Sequence, residues 1–228
     1  MRSAATEAEK TAFWPLTGRQ KVYLKVKFVV DWLLALAALV VLSPVFGVIV
    51  LAIKREDGGP VFFTQKRVAR GGAYFPIYKF RTMRLDTPHD MPTHLLKDPG
   101  QYITRVGRFL RRTSLDELPQ LWNIIRGELA VSGPRPALWN QDDLIALREA
   151  YGVQQIRPGI TGWAQIHGRD ELEIDKKAAL DAYYLRHLGP VIDLKCFFGT
   201  FLAVFRQDGV VEGGTGAMKE GNGETPKA

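Results

Sequence analysis

Cysteine appears once in the 228 residues, at Cys196, and histidine only four times. No intramolecular disulfide can form, and the spacings leave no zinc site. That composition suits a reducing compartment. The sequence holds no Asp-x-Asp, the metal motif of many nucleotide-sugar glycosyltransferases. It also lacks Gly-x-x-x-x-Gly-Lys-[Ser/Thr], which argues against a P-loop NTPase. No apolar stretch adjoins Met1, so a secretory signal is not expected, and no internal repeat is present. Long apolar runs are scarce too: there is one, and a mean hydropathy of −0.09 is too polar for a multi-pass membrane protein.

With 46% hydrophobic and 24% charged residues the chain can bury a core, and its length suits one ordinary domain. Lys and Arg number 31 against 24 Asp and Glu, a net charge of +7. Such a surface attracts phosphates, whether of nucleic acid, anionic lipid or a nucleotide-linked substrate. Residues 1–20 are polar, carry Pro15 and Gly18, and read as a flexible leader. The Gly/Glu/Lys-rich residues 207–228 read as a disordered tail, which leaves 21–206 for the domain.

The apolar run covers residues 28–53, interrupted only by Asp31 and by Ser43-Pro44. As one straight helix it would be ~39 Å long, enough for a bilayer core of ~30 Å. Yet Lys21, Lys25 and Lys27 precede it and Lys54 and Arg55 follow it, so the positive-inside rule wants both ends on the cytoplasmic side. Pro44 removes a helical hydrogen bond in mid-run, and Ser43 offers a hydroxyl to the freed carbonyls. The run is therefore expected to be re-entrant, a helix-break-helix that enters and leaves on one face. A Pro-kinked span and a buried helical hairpin are the alternatives.

Beyond it, Gly58-Gly59-Pro60 forces a turn, and Val61-Phe62-Phe63 and residues 74–80 predict two short strands around Gly71-Gly72. Prolines and histidines mark 85–100 as a loop. A helical stretch follows over 104–126, divided at Pro119 and capped by Gly127. The bend Gly133-Pro134-Arg135-Pro136 leads into a helix over 138–151, and the loop 157–163 into another over 171–187. Pro190 opens 191–205, whose Phe, Leu and Val pattern predicts an amphipathic helix lying on a membrane surface or packed on the core.

Chemistry concentrates where Arg105, Arg108, Arg111 and Arg112 run into Ser114-Leu115-Asp116-Glu117. Ser114 and Glu117 alone would make a capping box. A box does not account for two adjacent carboxylates after four arginines. Arginines and a helix N-terminus both favour ionised carboxylates. An ionised Asp can attack phosphorus, and a neighbouring Glu can hold Mg²⁺ against substrate phosphates. Lys79 and Arg81 share one face of a strand, which fits a phosphate site or a solvated strand edge. Arg135, held between Pro134 and Pro136, and the loop residues Arg157 and Arg169 present planar forks that suit phosphate oxygens. For Asp181 and Asp193, near Tyr183, Tyr184 and Lys195, a surface or capping position accounts for either one alone.

Several blocks then fall into one order over about residues 27–205. They are Ser43-Pro44, Gly59-Pro60-Val61-Phe62-Phe63, Tyr78-Lys79-Phe80-Arg81-Thr82-Met83, the stretch 103–123 around Ser114-Leu115-Asp116-Glu117-Leu118-Pro119-Gln120, Gly133-Pro134-Arg135-Pro136, and Arg157-Pro158-Gly159-Ile160-Thr161-Gly162-Trp163. A chain with this set resembles the bacterial sugar transferases, the monotopic phosphoglycosyl transferases.

The resemblance implies a single compact α/β domain, associated with the cytoplasmic face of the inner membrane through a re-entrant helix and interfacial amphipathic helices. It implies transfer of a sugar-1-phosphate from a UDP-sugar to polyprenyl (undecaprenyl) phosphate with release of UMP. That reaction would be the first membrane step of exopolysaccharide, O-antigen or glycoprotein glycan assembly, with downstream glycosyltransferases as further partners. By the same resemblance Asp116 is the nucleophile that carries a covalent phosphosugar, and Glu117 is the ligand of a Mg²⁺ cofactor. Lys79, Arg81, Arg111, Arg135 and Arg169 fall on basic active-site positions, and Asp181 and Asp193 on late aspartates important in the family. Gly127-Glu128-Leu129 and Ile166-His167-Gly168-Arg169-Asp170 depart from the usual pattern and are expected to bear on sugar choice. The short chain looks like the minimal catalytic form. Nucleic acid is not an expected partner, because the apolar run needs lipid and the aromatics are not interleaved as stacking platforms. The competing reading is a non-catalytic basic membrane-associated adaptor, for which the charge alone would suffice.

Overall fold

The computed structural model describes residues 13–87, 99–168 and 172–206. Arg169 and the tail expected to be disordered over 207–228 lie outside the described residues. Helix α1, Gly18–Asp57, begins well before the apolar run because Thr17 and Gln20 form a capping box. Thr17 Oγ1 accepts from the Gln20 amide at 3.3 Å, and Gln20 Oε1 accepts from the Thr17 amide at 3.0 Å. The chain just before it is also fixed: the Trp14 amide donates to the Tyr151 carbonyl at 3.3 Å and Gln155 Nε2 to the Trp14 carbonyl at 2.8 Å. The flexible leader expected over 1–20 therefore does not extend over residues 14–20.

A break is expected at Ser43-Pro44, yet α1 stays helical across it. Pro44 has no N–H to give Val40, and Ser43 Oγ donates to that same carbonyl at 2.8 Å, so the freed group keeps a partner. Only Gln20, Lys27, Asp31, Ala35, Ile49 and Ile53 are buried in the helix. That excludes a buried hairpin. α1 is the one helix among the described residues long and apolar enough to cross a membrane.

Strands β1, Phe62–Val68, and β2, Tyr74–Phe80, pair antiparallel with Phe62 opposite Phe80 and Val68 opposite Tyr74. The turn between them uses Gly71 at φ 72° and Gly72 at φ 77°, where only glycine is free of a Cβ penalty. β1 outruns the expected residues 61–63 because Thr64 to Arg67 alternate between an exposed and a half-buried side. Next come α2 (Arg105–Thr113), a 3₁₀ turn at Leu115–Glu117, α3 (Gln120–Ile125), β3 (Ala130–Ser132), α4 (Asp142–Ala150) and β4 (Gly159–Thr161). Helices α5 (Trp163–Ile166), α6 (Ile174–Arg186) and α7 (Pro190–Arg206) complete the chain. β3 and β4 pair in parallel, Ala130 with Gly159 and Ser132 with Thr161. The fold is thus mixed α and β, with its strands in two two-stranded pairs.

Both halves of α1 enter clusters that β2 also joins. Ala35 shares a cluster with Phe75 and Ile77 of β2 and with Ile124 and Leu129, Ile49 and Ile53 share another with Phe80 of β2 and Leu110 of α2, and the Phe46 ring lies 5.2 Å from that of Phe80. α7 starts at Pro190 as expected, and turns Ile192 and Cys196 into a cluster with Tyr184, Leu185 and Leu188. Val191, Leu194, Phe198 and Leu202 stay exposed, at the three- and four-residue spacing of one helical face. Lys27 links the two helices, with Nζ 2.8 Å from Asp193 Oδ2 and 3.0 Å from Asp31 Oδ2. Asp193 also accepts from Tyr23 at 2.7 Å and Tyr184 at 2.5 Å, while Asp31 accepts from the Val131 amide at 3.1 Å.

At the other end of α1, Gly58 closes the helix at φ 69° and Asp57 is forked by both terminal nitrogens of Arg81. That hydrogen-bonded fork is the main reason the Asp57 carboxyl titrates below its usual 3.8. A folded-state pKa lowered this way stabilises the fold fully above the unfolded-state value and loses that contribution as pH falls through the folded one. Asp57→Asn should therefore cost about 1 kcal/mol near neutrality, and the denaturant midpoints of variant and wild type should converge on acidification below pH 3.8.

Candidate active site

Three segments bring one charged cluster together. β2 supplies Lys79, the 3₁₀ turn supplies Asp116 and Glu117, and the bend after β3 supplies Arg135. Lys79 Nζ lies 2.9 Å from Glu117 Oε1 and 3.8 Å from Asp116 Oδ2. Arg135 forks Glu117, with Nη2 donating to Oε1 at 2.6 Å and Nη1 to Oε2 at 3.3 Å.

Each segment has its own support. Asn123 on α3 is fully buried; its Oδ1 accepts from the Tyr78 amide at 3.0 Å and its Nδ2 donates to the Pro76 carbonyl at 2.8 Å. β2 is thereby held to α3 just before Lys79. Glu128, one of the departures from the family pattern, accepts from the same Asn123 Nδ2 at 2.7 Å, so it supports the strand. The bend carrying Arg135 rests on β4 through bare backbone: the Gly133 amide donates to the Thr161 carbonyl at 2.8 Å and the Gly159 amide to the Pro134 carbonyl at 2.9 Å. A Cβ on Gly159 would fall 2.2 Å from the Gly133 nitrogen, so the two glycine-containing motifs are one close-packed unit.

The dyad turn is built differently from a capping box. Ser114 adopts the left-handed conformation at φ 56° and its side chain makes no cap hydrogen bond. Its amide instead closes α2 on the Arg111 carbonyl at 3.1 Å. The expected division of 104–126 accordingly falls at Ser114 as well as at Pro119, which precedes α3. Arg111 donates from Nε to Thr82 Oγ1 at 2.9 Å and its charge works against the upward shift of the Asp116 carboxyl.

The two carboxylates are unlike. Burial pushes the Asp116 carboxyl up, and Lys79, Arg111 and Arg135 only partly offset this. Burial also pushes Glu117 up, but Arg135 and Lys79 outweigh it and hold the group well below the usual carboxylate range. The sequence leads one to expect ionised carboxylates at both positions; the cations secure this at Glu117, whereas at Asp116 desolvation outweighs them. Asp116 accepts no hydrogen bond from the described residues, whereas both oxygens of Glu117 do.

The remaining expected site residues are engaged elsewhere. Arg81 spends its guanidinium on Asp57 and on the Pro60 and Met83 carbonyls, so β2 does not direct it to the partners of Lys79. Asp181 is fully buried against Arg148, and Asp193 lies in the α1–α7 network. Asn123 and Arg148 carry these contacts without having been singled out from the sequence; an Asn inside a short apolar helix was the available signal.

The sequence model of the family described as bacterial sugar transferase matches residues 22–207. The chain belongs to that family. It is 38% identical over 199 residues to the UDP-glucose:undecaprenyl-phosphate glucose-1-phosphate transferase of Escherichia coli, covering 84% of this chain and 41% of that protein. It is 35% identical over 188 residues to the exopolysaccharide production protein ExoY of Sinorhizobium fredii, covering 76% and 83%. The undecaprenyl-phosphate galactose phosphotransferase of Salmonella typhimurium is 33% identical over 208 residues, covering 85% and 43%. The chain thus spans about two fifths of the E. coli and Salmonella relatives and most of the Sinorhizobium one. In this sugar transferase the left-handed Ser114 sets a first test. Ser114→Gly should leave stability unchanged or raise it by up to ~1 kcal/mol, and Ser114→Ala should lower it by a similar amount. A lost N-cap would instead make Ser114→Gly mildly destabilising, by a few tenths of a kcal/mol, in thermal unfolding.

Proposed function

We propose that this sugar transferase moves a sugar-1-phosphate from a UDP-sugar to undecaprenyl phosphate through a covalent intermediate on Asp116. The observation that carries the reading is the asymmetry of the dyad. Glu117 is pinned as an anion by two cations, while Asp116, beside it, has no hydrogen bond from the described residues to blunt its oxygens.

In the proposed first step an Asp116 carboxylate oxygen attacks the sugar-bearing phosphorus of the donor. The bond from that phosphorus to the bridging oxygen breaks, and the electron pair leaves with UMP. An oxygen of undecaprenyl phosphate then attacks the same phosphorus, and Asp116 departs as a carboxylate. Lys79 and Arg135 are placed to meet the negative charge on the phosphate oxygens, and donors fixed in advance need no reorganisation during reaction. A non-catalytic adaptor has no use for a convergence of Lys79, Arg135 and two carboxylates drawn from three segments.

Mg²⁺ suits the same place. This ion binds through one or two carboxylates with substrate phosphates completing its shell. No three His, Cys, Asp or Glu side chains converge among the described residues, so Asp116 and Glu117 would hold it together with the donor phosphates. Glu117 Oε2, with its longer 3.3 Å contact to Arg135, is the oxygen best able to accept it. When bound, the ion would screen the approach of two anions.

The membrane seat is part of the proposal. β2 shares a cluster with each half of α1, while Leu36, Val40, Val41, Val45 and Val48 between them are exposed. A helix crossing the bilayer would carry its second half away from that strand. A re-entrant wedge, with the body and the exposed stripe of α7 at the cytoplasmic face of the inner membrane, keeps both contacts. Relatives named for exopolysaccharide production support a role at the start of surface glycan assembly.

Two measurements test these readings. Intact mass after mixing enzyme, Mg²⁺ and UDP-sugar without acceptor should show a gain of one sugar phosphate, lost on adding undecaprenyl phosphate. Asp116→Asn should abolish the adduct and cut UMP release by at least about 10³-fold; UMP formed only with both substrates present, and no adduct, would favour direct transfer. Cysteines placed before Lys27 and after Lys54, in a Cys196→Ser background, should both label from the cytoplasmic side. Labelling from opposite sides would remove the re-entrant reading.

A further inference from the structure

Resting on the phosphate-clamp role proposed for Arg135, we infer that Arg148 and Asp181 form a buried positioning pair that sets Arg135 against the dyad. Arg148 on α4 is 6% exposed and Asp181 on α6 is 0% exposed. Arg148 Nε and Nη2 donate to Asp181 Oδ2 at 2.9 and 2.5 Å, and its remaining nitrogen, Nη1, donates to the Arg135 carbonyl oxygen at 2.8 Å. Residue 135 is therefore held twice, by its main chain to Arg148 and by its guanidinium to Glu117.

The double hold matters because proline rings do not finish the job. Pro136 confines residue 135 to extended backbone, but that region is broad, and the Arg148 bond selects one carbonyl orientation within it. The platform beneath is packed: Leu144 of α4 and Ala178 and Ala182 of α6 share a core cluster with Ala137 and Val153. Asp181 is sealed from solvent against Arg148, so it does not reach a phosphate. Its influence on the reaction passes through Arg148, which revises the expectation that it lies among the phosphate-binding residues.

Arg148→Met alone would leave a buried, unpaired Asp181 and is expected to unfold the protein. The test variant is Arg148→Met with Asp181→Leu, which replaces the pair by apolar side chains of similar size, a change that buried ion pairs often tolerate. Its melting temperature should stay within about 5 °C of wild type. Its kcat/KM for UDP-sugar should fall about tenfold or more, the scale of a small misplacement at a reacting centre. Arg135→Lys should cost about tenfold in the wild-type background but less than about twofold in the double variant, because the two changes disable one device. Should the double variant not fold, Arg148→Lys, which keeps its charge against Asp181 but is too short to hold the carbonyl as well, carries the same expectations.

A folded variant with wild-type kcat/KM, or an equal Arg135→Lys penalty in both backgrounds, would overturn the positioning role and leave the clamp reading standing. Arg135→Lys without effect in the wild type would overturn both.

Discussion

Glu117 cannot easily give up its charge, because Lys79 and Arg135 both donate to it and each arrives from a different part of the chain. That shared ion pair fixes three otherwise independent pieces, the β1–β2 hairpin, the turn after α2 and the bend after β3. Partial burial gives the contacts more weight than an exposed pair would have, and removing Glu117 would leave two cations facing each other without their shared anion. The supports behind the trio have the same character. Asn123 holds the strand, left-handed Ser114 turns the dyad, and Gly133 against Gly159 seats the bend. Asp116 differs from its neighbour because it stands at the edge of this arrangement, 3.8 Å from Lys79.

α1 inverts the usual pattern of a soluble protein. Its buried faces include Gln20, Lys27 and Asp31, while many of its valines and leucines point outward. Buried charges are tolerable only when paired and hydrogen-bonded, and here Lys27 faces Asp31 and Asp193 while Asp193 accepts from two tyrosines. Asp31 looked like a flaw in the apolar run; it is the residue that ties the run to the Val131 amide. A polar inward face and an apolar outward face are what a helix needs when its outer solvent is hydrocarbon.

Local signals were legible and distant partnerships were not. Gly71-Gly72, Pro190 and the apolar spacing of 191–205 each announce an element within a few residues, and the hairpin and α7 follow them. The order of motifs brought out Lys79, Asp116, Glu117 and Arg135, which do converge. Arg81, Asp181 and Asp193 look identical to them as residue types, but their partners Asp57, Arg148 and Lys27 lie 24 to 166 positions away. Sequence spacing carries no trace of such pairings. Ser114 shows a second limit: Ser-x-x-Glu favours a capping box locally, and the demand that the dyad face Lys79 and Arg135 overrides it. β3 and β4 are three residues each, too short for any periodicity to register.

The same geometry explains how the proposed site could accept a diphosphate without being dismantled. Glu117 occupies an anion's place between Lys79 and Arg135, so an arriving phosphate must share those cations with it. An ammonium carries three N–H donors, whereas Glu117 takes one from Lys79. Sharing is feasible only if the cations do not swing toward the newcomer and away from the dyad. Lys79 is restrained through Asn123, and Arg135 through Gly159 and Arg148. Preorganisation of this kind keeps the donors aimed where charge develops, and it places the burden of rigidity on residues that touch no phosphate themselves.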